Sequence, residues 1–441
     1  MVKTKINIFF ILLSLSLSNE KPLYLNLTFS SAINISKISE SSFVNGLINN
    51  ELIINTKIGT PNQILPLKIK LRYSTLSIVS ILSEFNPQLK KFNHNNSSTF
   101  HTENISEIIF PGYDEFRKGI KSKDNIEFEN KKKLNNFNFF LTTETFYDIS
   151  GIFGLNINYD RYLENYSLLK QLKERNLISK LIFYFDFDKL ENSPLKYKGN
   201  LIIGSYPHEI NSKKYNKENY LEMNINPNFD STNELYEFKC LRIYYGDDNK
   251  NDLSETINIP FDFSKNLILG STKFLNIITK EFNTFFKDKC KSNELRGIIT
   301  FSCDKDINIT LLQNLNFHNV DINYTFTLNP SDLFILDNDR YYYLVYFVKQ
   351  YNVKMWSLGI AFLKKFNFVF NQDKKVLGYY KIKEESFNSN LFLKILLIIA
   401  CIIIIILIIL LIYYKKNQIK RKIRANELES DFEYIPYHKT F

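Results

Sequence analysis

Two loops in opposite halves of the chain carry the residues whose chemistry is easiest to interpret. Each loop lies between two apolar, strand-like runs, one near Ser74 and one near Ser264. The second loop contains Asp262, a carboxylate suited to general acid or base catalysis, whereas the first loop reads KLRY from Lys70 onward. A neighbouring ammonium group lowers the pKa of a carboxylate and keeps it ionised. If the fold brought Lys70 close to Asp262, the two side chains would form an ion pair and not an acid–base pair.

The segments around these loops predict a mainly β protein with a few short helices. LIINTKIG and ILPLKIKL alternate apolar and polar residues, as half-buried strands do. Further strand candidates are NIEF, LIFYFDF, GNLIIG, RIYYG, NLILG, GIITF, YYYLVYFV and FNFVF. Helical spacing is confined to YSLLKQLKERN and STKFLNIITKEFNTFF. Because the strand–turn–strand pattern occurs twice, we expect two similar β lobes derived from one duplicated unit.

A long apolar segment near the C-terminus predicts a transmembrane helix over residues 391–414. The basic run KKNQIKRKIR follows at once, which places residues 415–441 in the cytosol by the positive-inside rule. At the other end, MVKTKINIFFILLSLSLS has the features of a secretory signal peptide, assigned to residues 1–19. We therefore expect a type I membrane protein with residues 20–388 outside the cytosol. The expected locations are the secretory pathway, the cell surface or an endolysosomal membrane.

The composition is that of a folded domain. Hydrophobic residues make up 44% of the chain, and only 13 Gly and 11 Pro are present, which argues against a low-complexity stalk. The net charge of +10 includes basic residues of the tail and of the signal peptide, so it does not indicate a nucleic-acid partner.

Cysteines and glycosylation sequons fit an oxidising, lumenal environment. Cys290 and Cys303 flank a short loop that they could close as a disulfide, Cys240 is left buried or paired elsewhere, and Cys401 lies in the apolar segment. Eight asparagines stand in N-glycosylation sequons: Asn26, Asn34, Asn95, Asn96, Asn104, Asn165, Asn308 and Asn323. The histidines show no metal-ligand spacing, and neither a metal nor a cofactor is expected.

Eight segments resemble the pepsin family of aspartic proteases in their order and spacing. They are IGTPNQ (58–63), FNHNNSSTF (92–100), KGIKSKDNI (118–126), SGIFGL (150–155), SLLKQLKERNLI (167–178), GNLIIG (199–204), FDFSKNLILG (261–270) and WSLGIAFLKKFNFVFNQDKKVLGYY (356–380). The resemblance covers about residues 46–383 and implies a bilobal double-ψ β-barrel fold. The implied divisions are an N-terminal extension (20–45), an N-lobe (46–215), a C-lobe (216–383) and a stalk (384–390).

In that family each lobe supplies one Asp from an Asp-Thr/Ser-Gly loop, and the two carboxylates share a proton and hold the attacking water. Counted from IGTP without a gap, the first Asp falls on Lys70, and no acidic residue lies between Glu51 and Glu84. Asp262 matches the second Asp. The residues after it depart from the pattern, however, with Ser264 in place of the loop glycine and Lys265 in place of threonine.

Other family positions are altered as well. The flap, which usually reads Tyr-Gly-x-Gly, reads FPGYDEF, so Tyr113 could serve only in a shifted loop. Ile360 stands where the family usually has Asp after Leu-Gly. Trp356 is expected to belong to the core.

The resemblance and its departures favour a catalytically inactive, glycosylated ectodomain that binds an extended peptide or protein in its cleft. Two alternatives remain open. One is an active aspartic endopeptidase that uses Asp262 with an aberrant first loop. The other is an all-β receptor or adhesin that is unrelated to the proteases.

Overall fold

The computed structural model describes most of the chain apart from its ends and several loops. The described residues are 22–30, 51–71, 73–84, 86–87, 89–102, 108–109, 116–128, 132–145, 149–156, 164–187, 198–225, 236–246, 253, 257–263, 265–295, 297–337, 339–349, 356–381 and 389–432. The chain divides into two compact units, Met1–Lys381 and Ile382–Phe441.

The first unit consists mainly of strands, which confirms the predicted fold class. Its strands are β1 (Leu23–Ser30), β2 (Glu51–Ile58), β3 (Gln63–Lys70), β4 (Leu76–Val79), β5 (His101–Thr102), β6 (Ile108–Ile109), β7 (Phe116–Glu127), β8 (Lys133–Thr145), β9 (Gly151–Gly154), β10 (Ile182–Phe187), β11 (Lys198–Ile203), β12 (Tyr220–Asn224), β13 (Glu237–Tyr245), β14 (Ile257–Pro260), β15 (Ile268–Leu269), β16 (Cys290–Leu295), β17 (Ile298–Asp304), β18 (Leu315–Asn319), β19 (Tyr324–Leu328), β20 (Phe334–Asp337), β21 (Arg340–Tyr343), β22 (Val345–Val348), β23 (Phe368–Asn371) and β24 (Val376–Tyr380).

Helices are few and short among the described residues of this unit. The α-helices are α1 (Leu168–Glu174), α2 (Pro207–Ile210), α3 (Thr272–Glu281), α4 (Pro330–Leu333) and α5 (Ile360–Lys365). A π-helical turn, Phe282–Phe286, extends α3. Single 3₁₀ turns lie at His94–Asn96, Glu164–Tyr166, Lys217–Asn219, Lys287–Lys289 and Ile309–Leu311.

The alternating sequence pattern explains why β3 is a strand. Leu65, Leu67 and Ile69 are buried in the core, whereas Lys68 and Lys70 lie half-buried on the opposite face. Successive side chains of a strand point to opposite faces, so this alternation fixes the register of β3 against its neighbours.

The described strands of this unit form three sheets. The largest has fourteen strands, in the order β12-β24-β23-β10-β11-β1-β2-β3-β9-β4-β8-β7-β5, with β6 on β7. It joins strands from both halves of the chain, because β10 pairs with β23. The other two sheets are built from second-half strands, in the orders β14-β13-β18-β19 and β15-β22-β17-β21-β20, with β16 on β17. Strand β1, within the predicted N-terminal extension, lies between β11 and β2.

Aromatic rings fill the core. Phe183 and Phe370 stack across the β10–β23 pair, with centroids 4.8 Å apart and planes 5° apart. Trp356 is buried, as predicted, and its ring centroid lies 5.5 Å from those of Phe274 and Phe317. Offset-stacked and edge-to-face pairs of this kind stabilise a core beyond the area that they bury.

The predicted disulfide is present between Cys290 and Cys303, which face each other in the β16–β17 pair. Cys240 is a buried free thiol whose sulfur donates hydrogen bonds to the carbonyls of Arg242 and His318. Burial raises the pKa of Cys240 to about 12, so this side chain is an unreactive thiol at neutral pH.

The second unit contains one long helix, α6 (Ser389–Phe432). Within it, Leu397–Arg424 is long and apolar enough to cross a membrane. The helix continues through the basic run that follows the apolar segment. The predicted signal peptide lies outside the described residues.

Candidate functional site

The loop with Lys70 is framed by β3 and β9. These strands run parallel, with Lys70 opposite Gly154. The carbonyl of Lys70 accepts a 3.0 Å hydrogen bond from the N–H of Leu155, the residue after β9. The backbone of Lys70 is thus fixed at the point where the strand gives way to the loop.

The loop with Asp262 has a corresponding frame. Phe261 forms a parallel bridge with Leu358, and the N–H of Asp262 donates a 3.0 Å hydrogen bond to the carbonyl of Leu358. The Asp262 side chain is half-buried. Burial, and to a smaller degree the negative charge of Asp262, raises the pKa of the buried Tyr346 hydroxyl well above its usual value.

One glycine packs closely against the backbone of each loop. A Cβ on Gly154 would lie 2.6 Å from the carbonyl oxygen of Tyr73 and 2.5 Å from that of Thr75. A Cβ on Gly359 would lie 2.7 Å from the oxygen of Lys265 and 2.2 Å from that of Leu267. Neither position has room for a side chain.

The two glycines contact equivalent positions of the two loops. Tyr73 and Thr75 stand three and five residues after Lys70, and Lys265 and Leu267 stand three and five residues after Asp262. Gly154 therefore approaches the third and fifth carbonyls after Lys70, and Gly359 approaches the third and fifth carbonyls after Asp262.

The next helix meets each loop in the same way. The carbonyl of Ser74 accepts a 2.9 Å hydrogen bond from Leu168, the first residue of α1. The carbonyl of Asn266 accepts a 2.9 Å hydrogen bond from Ala361, the second residue of α5. Ser74 stands four residues after Lys70, and Asn266 stands four residues after Asp262. In both loops a carbonyl thus satisfies an amide of a helix N-terminus.

Both loops are anchored at the same end of the central sheet. Phe263 packs against Phe370 of β23, with ring centroids 5.6 Å apart. Two residues after Phe370, the side-chain amide of Gln372 donates a buried 2.7 Å hydrogen bond to the carbonyl of Leu155. Leu155 in turn holds Lys70. The two loops are therefore linked through β23 and the residue that follows it.

Apolar side chains directly follow the two charged residues. Leu71 is 9% exposed and Phe263 is 2% exposed, and both belong to the main hydrophobic core. Neither side chain can donate a hydrogen bond to a neighbouring carboxylate.

The other predicted residues are placed only in part. Tyr113, Arg72 and Ser264 lie outside the described residues, as do the sequons at Asn34 and Asn104. Asn26 lies in β1. The remaining sequon asparagines are exposed: Asn95, Asn96, Asn165, Asn308 and Asn323. Across the described part of the chain, no three His, Cys, Asp or Glu side chains are grouped as metal ligands.

Sequence reasoning missed the anchoring residues. Nothing in NQDKK marked Gln372 as a link to Leu155, and no local pattern paired Phe185 with Phe263, whose centroids lie 4.8 Å apart. Their contacts depend on how distant strands pair. The only available signal was the resemblance of their segments to a known family.

Comparison with known families agrees with this geometry. A model of the eukaryotic aspartyl protease family matches residues 51–381, a range that contains both loops and the strands that anchor them. No curated protein matches the chain. Because the family match spans most of the first unit, the chain belongs to the eukaryotic aspartyl protease family.

Proposed function

We propose that the protein is a catalytically inactive member of this family whose cleft binds an extended peptide or protein segment. The observation that carries the proposal is the matching position of the two glycine contacts, which supports the view that Lys70 and Asp262 hold equivalent positions in their loops. On this proposal, Lys70 stands where an active enzyme has its first aspartate.

The chemistry of a lysine at that position argues against catalysis. A working pair of carboxylates shares one proton, so that one group acts as a base while the other polarises the scissile carbonyl. A lysine supplies a cation and no second carboxylate, so the site cannot share a proton in this way. We therefore propose a Lys70–Asp262 ion pair that ties the N-lobe (46–215) to the C-lobe (216–383).

Loss of catalysis leaves the binding geometry in place. The family binds substrates as extended strands through backbone hydrogen bonds, and such contacts do not need the catalytic carboxylates. The sheets that frame both loops are intact over the described residues. A peptide ligand held without cleavage is thus the function that these features support.

The proposed setting is a single-pass membrane protein with its protease-like domain on the lumenal or extracellular side. A signal peptide at 1–19, a membrane helix near 391–414 and a basic cytosolic tail at 415–441 would give this topology. The apolar stretch Leu397–Arg424 and the exposed sequons of the first unit support it. The stalk (384–390) would join the two units.

The second candidate is an active endopeptidase that relies on Asp262. Its support is the loop of Asp262, which keeps the close approach of Gly359 and the hydrogen bond to Leu358. Against it, the first loop offers a cation where a carboxylate is needed.

The proposal is tested by equilibrium capture from a random peptide library. The full-length protein in detergent micelles is incubated with the library, and bound peptides are identified by mass spectrometry. We expect a set of enriched peptides, each recovered at its full length. Samples unfolded by heat serve as the control. If no sequence is enriched over this control, peptide binding is wrong; if shortened peptides accumulate with time, catalytic inactivity is wrong.

A further inference from the structure

We propose that residues 415–424 bind the head group of a phosphoinositide, an anionic lipid whose inositol ring carries additional phosphates. This inference goes beyond peptide binding and rests on the proposed setting, in which this end of α6 faces the cytosol. It follows from the charge of the segment, its distance from the apolar boundary and the spacing of its cations along the helix.

The segment is strongly basic and contains no acidic residue. Six of its ten residues are Lys or Arg, and the first acid that follows is Glu427. All six basic side chains are exposed, and none is paired with a carboxylate in the part of the chain that the structure describes. Clusters of about four to eight cations beside a membrane helix attract anionic lipids. The segment thus has the charge of a lipid-binding surface.

Two tyrosines mark the end of the apolar segment. Tyr413 and Tyr414 are each 64% exposed, and they directly precede Lys415. Tyrosine side chains favour the boundary between the hydrocarbon core and the head groups. The helix continues past this boundary, where the side-chain amide of Gln418 donates a 3.2 Å hydrogen bond to the hydroxyl of Tyr414, one turn earlier. The rise of the helix therefore gives the distance of each cation from the boundary.

The outer cations extend beyond the layer of simple head groups. At about 1.5 Å per residue along the helix axis, Lys415 and Lys416 lie within about 3 Å of Tyr414, whereas residues 420–424 lie about 9–15 Å beyond it. The head-group layer of one leaflet is about 5–8 Å thick. Salt screens charges over about 8 Å at physiological ionic strength. The first two lysines are placed to contact ordinary head groups, while the outer cations need phosphates that project further into the water, as those on an inositol ring do.

Three of the outer cations share one face of the helix. Lys420, Arg421 and Arg424 stand at positions i, i+1 and i+4, which places them within an arc of about 100°. A guanidinium group binds a phosphate through two parallel hydrogen bonds, and an ammonium group adds a compact charge. A head group with several phosphates can contact all three cations at once, which a head group with a single carboxylate or phosphate cannot do.

A competition between lipids tests the inference. The full-length protein in neutral detergent micelles is mixed with equal amounts of phosphatidylcholine, phosphatidylserine and phosphatidylinositol bisphosphate, and the lipids that remain bound are measured by native mass spectrometry. We expect the bisphosphate to be retained at least about tenfold more than phosphatidylserine, since each cation adds to the attraction. This preference should fall as salt rises. Equal retention of the two anionic lipids would overturn the inference, because the segment would then respond only to negative charge.

A triple variant locates the binding site. Lys420→Gln/Arg421→Gln/Arg424→Gln removes the shared face and leaves Lys415 and Lys416 beside the apolar segment. We expect its preference for the bisphosphate over phosphatidylserine to fall below about threefold, because the remaining cations contact both lipids alike.

The matched control removes the same number of charges from the first unit. Lys213→Gln/Lys280→Gln/Lys291→Gln changes three exposed lysines outside α6, and it should keep the preference of the wild type. An equal loss of preference in both triple variants would contradict the inference, because overall charge would then account for the binding. The wild-type competition and its salt dependence decide the matter even if a variant does not fold.

Free inositol trisphosphate distinguishes a lipid from a soluble ligand. It presents the same phosphates without acyl chains, so it is not concentrated at the end of the apolar segment. We expect it to displace the bound bisphosphate lipid only in large excess. Displacement at equal concentration would show that the ligand is a soluble phosphate, and the assignment to a membrane lipid would be wrong.

Protease protection keeps this inference separate from the proposed setting. In sealed microsomes from expressing cells, trypsin added outside should cut within residues 415–424, because the cytosolic side of these membranes faces outward. A protected segment would overturn the proposed setting and this inference with it. An accessible segment without lipid preference would overturn this inference alone. Neither result bears on peptide binding, which the library capture tests separately.

Discussion

The ring of Phe263 meets the ring of Phe185 edge-on, with centroids 4.8 Å apart and planes 87° apart. Phe263 directly follows Asp262, and Phe185 lies in β10, a strand from the first half of the chain. A side chain beside the candidate site therefore also packs against the sheet that joins the two halves.

Truncation of this contact should destabilise the first unit. Phe263→Ala removes a buried ring that also packs on Phe370, and substitutions of this kind cost about 3–5 kcal/mol. Thermal unfolding followed by circular dichroism should show a lower midpoint. The matched control is Phe285→Ala, since that ring is 45% exposed and should shift the midpoint little. Equal shifts for the two variants would contradict the packing role of Phe263.

Restoring one carboxylate should not restore catalysis. Lys70→Asp places an acid opposite Asp262 on our proposal, but Leu71 and Phe263 offer no side-chain hydrogen-bond donors to orient the pair. We expect this variant neither to cleave peptides nor to bind pepstatin, an inhibitor of active family members. The measurement is pepstatin binding by calorimetry at acidic pH. Tight binding by Lys70→Asp would show that the other changes in the site are tolerated.

Removal of the disulfide should weaken the β16–β17 hairpin and the helix packed beside it. Cys290 and Cys303 are 13 residues apart, and cross-linking a loop of about 15 residues stabilises a protein by about 3 kcal/mol. The variant Cys290→Ser/Cys303→Ser should unfold at a lower temperature than the wild type. Cys401→Ser, in the second unit, is the control and should leave the unfolding of the first unit unchanged.

The half-buried carboxyl group of Glu281 should make stability depend on pH. Glu281 ends α3 and accepts a 2.6 Å hydrogen bond from the hydroxyl of Tyr245. Burial raises the pKa of Glu281 above its ordinary value of 4.5. The folded state thus favours the protonated carboxyl, and the stability that this group contributes below pH 4.5 is lost as the pH rises through its folded-state pKa.

Glu281→Gln mimics the protonated form and keeps an acceptor for Tyr245. We expect the variant to raise the unfolding midpoint more at pH 7 than at pH 4. Glu294→Gln is the control at an exposed position, and its effect on the unfolding midpoint should not be larger at pH 7 than at pH 4. If Glu281→Gln raised the unfolding midpoint equally at both pH values, the raised pKa of Glu281 would be contradicted.

The strands and helices near the site were predictable because their patterns are local. Alternation in ILPLKIKL predicted β3, and the leucines of YSLLKQLKERN predicted α1, as the structure confirms. The disulfide was predictable because its two cysteines flank one short loop. In each case a few neighbouring residues carry the whole signal.

Long-range pairing was not predictable in the same way. Strand β1 lies between β11 and β2, although the sequence only marked its residues as an extension. The link from Gln372 to Leu155 joins residues 217 positions apart. Such contacts depend on the whole fold, which local periodicity does not encode. The place of Lys70 opposite Asp262 was predicted from family spacing, and it stays a proposal that the matching glycine contacts support.

The most direct test of the account is proteolysis by the purified full-length protein on a diverse peptide pool from pH 3 to pH 7. Asp262→Ala is the matched control, because it removes the sole carboxylate that we place at the site. We expect the wild type and Asp262→Ala to show the same low background of peptide cleavage at every pH. Cleavage by the wild type that disappears in Asp262→Ala and in the presence of pepstatin would contradict it.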